Sequence, residues 1–100
     1  MYAMVPLFIG VAYKRNSDPE TDTENLIAVA CGIQNMLILA EEMDVSCHWS
    51  SGKSIETKAV LDYLGFTENE KIIGLLQLGY VSAKGSSVRS EVDKFVNWKR

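Results

Sequence analysis

The sequence predicts an α+β fold in which one long, strongly apolar helix lies on a small sheet. Three observations point there. Residues 22–44 read as a helical repeat bounded by Asp22 and Asp44 that is apolar almost all the way round. Residues 5–13 and 71–80 are apolar runs with β-branched and aromatic content, as expected of strands covered on both faces. The elements follow in the order strand, long helix, short strand, helix, strand, tail, without repeats or low-complexity segments.

Each element has its own signals. In the first strand, Pro6 belongs near the start, where a missing N–H does least harm. Residues 14–23 form a polar loop with Asp18-Pro19 as a turn signal. Thr21-Asp22-Thr23-Glu24 then resembles a capping box and places the helix start at Thr21 or Asp22. Leu26, Val29, Ala30, Ile33, Met36, Leu37 and Ala40 form a core-facing stripe. Ile27, Cys31 and Ile38 form a second stripe, and Ala28, Gly32, Asn35 and Leu39 a third of little bulk, so protein is expected on most sides of this helix.

The helix should end near Met43, with Asp44 in the left-handed conformation that closes a helix. A short strand over 45–49 opens into the polar loop Ser50-Ser51-Gly52-Lys53. Ser54 is the expected cap of a second helix over 55–64, using Ile55, Val60, Leu61 and Leu64 as its apolar face and Gly65 as its stop. Within the strand over 71–80, Gly74 and Gly79 mark a close approach or a bulge. A Ser- and Gly-rich segment leads to a tail carrying Val92, Phe95, Val96 and Trp98.

Composition narrows the function. One hundred residues suit a single domain or a piece of one, and 47% hydrophobic with 23% charged content suits a globular chain. A net charge of −3 leaves no electrostatic footprint for nucleic acid. Gln34 and Asn35 interrupt the longest apolar run, which is read as too short to span a bilayer. No signal-peptide pattern opens the sequence, so a cytoplasmic location is expected, with Cys31 and Cys47 as reduced, buried thiols.

No nucleophile triad, metal cluster or phosphate-binding glycine loop is visible. His48 beside Cys47 suggests a thiol–imidazole pair only superficially, because adjacent strand residues point to opposite faces. Two readings fit Trp49-Ser50-Ser51-Gly52. It is either a corner presenting backbone N–H groups and hydroxyls to a planar polar ligand, or an ordinary turn after a core Trp. Arg89 is either a clamp for a phosphate or carboxylate or a solvated surface cation.

Residues 33–49 (IQNMLILAEEMDVSCHW) resemble the central segment of the nitroreductase family, where a long dimer-interface helix enters a strand. Tyr63-Leu64-Gly65-Phe66 is similar to the end of the family's next helix. Residues 71–80 (KIIGLLQLGY) are similar to its following strand, and Arg89 with Val92, Phe95 and Trp98 to its usual ending. The resemblance implies a small, mainly antiparallel sheet under a central interface helix. It also implies an FMN-dependent oxidoreductase passing hydride from NAD(P)H to FMN and then to a nitroaromatic, quinone or similar small-molecule acceptor. A homodimer through the helix between Asp22 and Asp44 is implied as well.

Carried over by position, Trp49, Ser50 and Ser51 match flavin contacts of one subgroup, and Arg89 matches a phosphate contact. The sequence departs from the family pattern at Ser50, where that subgroup often has Arg, at Asp44, where Gly is usual, and at Val81, where Pro is usual. The resemblance covers the C-terminal half of the family domain. Residues 1–100 are therefore expected to form that half, with about 88–100 as a tail packing on a partner subunit, and one copy alone is not expected to complete an FMN site. Two other classes remain: a non-catalytic, self-associating α+β module, and a redox thiol protein using Cys47.

Overall fold

The computed structural model of the chain describes residues 6–81 and 86–99. Its elements are β1 (Leu7–Lys14), α1 (Pro19–Glu42), β2 (Ser46–Ser50), a 3-10 turn (Lys53–Ile55), α2 (Lys58–Leu64), β3 (Glu70–Gly79) and a second 3-10 turn (Val92–Lys94). The fold is α+β. The three strands make one wholly antiparallel sheet in the order β1-β3-β2. Val5, where the first strand was expected to begin, and Gly85 in the Ser/Gly-rich segment lie outside the described residues.

The long helix starts earlier than the capping-box pattern suggested. Asp18 is the N-cap and accepts the Thr21 N–H at 3.0 Å, while Pro19 opens the first turn. The Asp-Pro pair is thus a cap followed by the one helical position that tolerates a missing N–H. Asp22 serves the preceding loop instead, accepting from the Asn16 N–H and from Arg15 Nε, each at 2.9 Å. At the far end Asp44 is left-handed (φ 57°), Val45 N–H donates to the Ala40 carbonyl and Asp44 N–H to that of Glu41. That pair of bonds is a Schellman closure with Asp standing where Gly is usual.

The second helix is shorter than expected. Ser54 does not cap it. Residues 53–55 form a 3-10 turn that buries Ile55, and Thr57 then caps α2 by accepting the Val60 N–H. Gly65, left-handed at φ 82°, closes α2 as predicted, with the Phe66 and Gly65 N–H groups reaching back to Leu61 and Asp62.

The two helices take opposite faces of the sheet. On one, Ile33 and Ala40 of α1 are buried, and Ile33 meets Gly74 of β3 and Trp49 of β2. On the other, Leu64 of α2 and the Phe66 ring press on Gly10 of β1, where a Cβ would meet Leu64 Cδ1 at 2.8 Å. Ile33 and Leu76 are the largest fully buried side chains, each contributing about 1.5–3 kcal/mol. The register of β1 on β3 shifts between Val11 and Ala12, which pair with Gly74 and Ile72, so Ile73 is passed over. This is the bulge that Gly74 signalled.

The predicted core stripe of α1 is the covered one from Val29 to Ala40, with Leu26 at its start exposed, but the wrapping expected elsewhere is absent among the described residues. Ile27, Ile38, Leu39 and Met43 are each more than half exposed, and Cys31 is exposed rather than buried. By length and composition α1 is long and apolar enough to cross a membrane, which corrects the expectation that Gln34 and Asn35 leave the apolar run too short. Core helices of sheet proteins meet the same criterion, and α1 carries the sheet along its Ile33–Ala40 side.

Candidate functional site

Alternation along β2 builds the corner singled out in the sequence. Successive strand residues point to opposite faces, so Trp49 turns toward α1 and Ser50 away from it. The Trp49 indole lies over Gly74: a Cβ built on that glycine would sit 2.6 Å from Trp49 Nε1 and 3.4 Å from Ile33 Cδ1. Its N–H donates to the Ile73 carbonyl at 2.9 Å, on the residue that the β1 register skips. On the opposite face Gln77 Nε2 donates to Ser50 Oγ, both groups being half-buried. Beyond them Ser51 and Gly52 are exposed, Gly52 with φ 106°, and the chain is caught again by Ile55, 3% exposed.

The four residues expected to hold a cofactor therefore fall into three groups. Ser50 and Ser51 sit together at the end of β2. Trp49 is beside them in sequence, but its half-buried ring turns to the α1 face, with its N–H on the Ile73 carbonyl. Arg89 is exposed in the tail, where it lines a shallow recess with Ser90, Val92, Phe95 and Val96, none of them a residue of the corner. Lys53, exposed one residue past Gly52, is the cation nearest in sequence to the corner.

Three residues that complete this geometry were not among the candidates: Gln77, Gly74 and Ile73. Gln77 had a signal, being the single polar side chain between Ile72 and Gly79. Gly74 was read as a close approach, though not as the seat of Trp49. The Ile73 carbonyl carries no sequence signal.

The thiol reading finds no support in the geometry. Cys47 lines an apolar recess with Met36, Leu39 and Ala40, and burial pushes its thiol pKa up, away from the thiolate that reacts. Cys47 also borders a second recess together with His48, Gln77 and Tyr80, but His48 is exposed and, as the next residue of the strand, points to the opposite face.

With this arrangement in view, the comparisons with known proteins become specific. The structure superposes on a solved nitroreductase-like family protein from Bacillus cereus with a TM-score of 0.81, covering 93% of this chain and 50% of that one. The two are 24% identical, so that likeness speaks for the fold. Residues 2–80 match the model of the nitroreductase family. The sequence is also 30% identical over 76 residues to a protein of Bacillus subtilis described as the putative NAD(P)H nitroreductase YfhC. That match covers 76% of this chain and 39% of the relative. The chain belongs to the nitroreductase family, and it spans 39% and 50% of the length of these two relatives.

Proposed function

We propose that the chain supplies one wall of an FMN site in an oxidoreductase of nitroreductase type. NAD(P)H is the reductant, and a nitroaromatic, quinone or similar small molecule is the acceptor. The observation that carries the reading is the family match over residues 2–80 on a fold that superposes at 0.81. The name of the Bacillus subtilis relative supports NAD(P)H as the electron source.

The residues present fit part of such a cofactor. Ser51 and Gly52 offer exposed backbone polar groups and a hydroxyl at a rigidly anchored corner, with no Cβ at Gly52 to hold a planar ring away. Arg89 and Lys53 offer exposed cations suited to a phosphate. Bound FMN would supply the hydride and electron transfer, and the protein the binding, orientation and exclusion of water. The Trp49 N–H is taken by the Ile73 carbonyl, so the indole has no hydrogen-bond donor left for a cofactor.

The exposed stripes of α1 support a homodimer formed through that helix, with the tail over residues 88–99 packing on the partner subunit. Ile38 at 60% and Met43 at 63% exposure lie on this surface, and Phe95 and Trp98 on the tail are as open. Self-association without catalysis would satisfy the same surface, so flavin chemistry is the discriminating test. NADPH oxidation should be followed with the full gene product, added FMN and a quinone acceptor. Acceptor-dependent oxidation is expected; a protein that never oxidises NADPH or NADH under these conditions would leave the non-catalytic module as the better reading.

A further inference from the structure

We infer that Trp49 and Gln77 act as positioning residues that clamp the Ser50–Gly52 corner from opposite faces of the sheet, so that Ser51 and Gly52, rather than the Trp49 ring, present the ligand-facing surface. The idea that a ligand binds there rests on the functional reading above; the clamp itself rests on geometry.

From the α1 side the clamp is a keyed seat. Trp49 fits only because Gly74 lacks a side chain, since the Cβ position is 2.6 Å from Nε1. The seat includes Ile33 Cδ1, 3.4 Å from the same point, on the buried stripe of α1. The indole N–H is fixed on the Ile73 carbonyl at 2.9 Å, where the bulge turns that residue out of the β1 register. A bulge leaves the extra residue outside the regular ladder, and the indole supplies that carbonyl with a partner. From the other side, Gln77 holds the very next residue of β2 by its hydroxyl. Two consecutive side chains are thus fastened to β3 on opposite faces, and β2 leaves the sheet immediately afterward.

The exit is fastened too. Ile55 N–H donates to the Gly52 carbonyl, and the Ile55 side chain is buried. Between these anchors only Ser51 and Gly52 remain exposed without regular structure, a two-residue window whose direction the clamp sets. Preorganised polar groups of this kind lower the ordering cost of binding a planar ligand.

The test uses two variants and one control. Trp49→Phe keeps an aromatic ring over Gly74 and removes the N–H; Gln77→Met keeps the length of the side chain and removes the amide. Ala40→Gly weakens α1 at the opposite end of β2, where the Val45 N–H meets the Ala40 carbonyl. Backbone amide exchange at Ile55, whose N–H closes the corner on the Gly52 carbonyl, is read by NMR in the FMN-free protein, and the FMN dissociation constant by fluorescence titration.

Each clamp variant should speed exchange at this amide about fivefold beyond the control and weaken FMN by a similar factor, the scale of one lost hydrogen bond. Exchange no faster than in Ala40→Gly overturns the clamp. Faster exchange with FMN affinity unchanged overturns the ligand-facing role of Ser51 and Gly52. If the wild-type protein binds no FMN, the functional reading fails, while the exchange data still decide the clamp.

Discussion

Two residues show how much of this fold hangs on single groups. Asp18 caps α1 through its carboxylate, and hydrogen bonds from the Thr21 hydroxyl and backbone N–H hold its pKa below the usual carboxylate value. A carboxyl lowered in the folded state contributes stability that is full above its unfolded pKa, near 4. That contribution is lost as pH falls through the folded value. Asp22 and Glu70 are lowered in the same direction, chiefly by backbone hydrogen bonds from Asn16 and Thr67. Asn caps as well as Asp but does not titrate. Asp18→Asn should therefore show a smaller loss of Tm than the wild type between about pH 5 and about pH 3, measured by circular dichroism. An equal acid loss in both proteins would remove Asp18 from the account. Gly74 is the second case. Gly74→Ala forces the Trp49 indole off the Ile73 carbonyl and should cost about 1–3 kcal/mol in chemical denaturation. A change under about 0.5 kcal/mol would mean that the seat yields freely.

At the scale of elements, α1 carries the main argument. Asp44 closes it in a left-handed conformation that an L side chain adopts at a cost. Asp44→Gly should therefore stabilise the protein by about 0.5–1 kcal/mol, read as a rise in the denaturation midpoint. A neutral or lower midpoint would show that the Asp side chain compensates. On the open side of the helix, a Cβ at Gly32 would meet nothing within 4 Å. Gly32→Leu is accordingly compatible with the monomer fold, and it improves helix propensity. If two α1 helices approach along Ala28, Gly32 and Asn35, the variant should weaken self-association while Tm at low protein concentration is kept or raised. An unchanged oligomeric state in sedimentation would contradict that interface.

Much of this was readable from residue pattern, for a physical reason. The Ile33–Ala40 stripe, the left-handed Asp44 and Gly65, and the bulge at Gly74 follow from periodicity and backbone sterics, which are local. The start of α1 was misplaced because Asp18-Pro19 suits a turn and a cap equally. What decides is the Asn16–Arg15–Asp22 contacts made by the loop before it. The start of α2 was misplaced because Ser54 and Thr57 both suit a cap, and burial of Ile55 in the sheet chose between them. The pairing of Gln77 with Ser50, 27 positions apart, is tertiary and could not be read from either strand alone.

The whole molecule is open. Its radius of gyration is 16.5 Å, with extents of 47 × 43 × 22 Å, against about 13 Å for a compact domain of this length. A thin three-stranded sheet with a helix on each face leaves α1 half bare and the tail exposed. That shape agrees with a chain spanning half of its structural relative. It also explains why the candidate site is a corner rather than an enclosed pocket. The most direct measurement is an equilibrium titration of FMN into the purified full gene product, followed by flavin fluorescence and the visible spectrum. Saturable binding at one FMN per chain, with a shifted flavin spectrum, is the predicted result. A flavin spectrum identical to that of free FMN at every protein concentration would contradict the claim that this chain forms a wall of a flavin site.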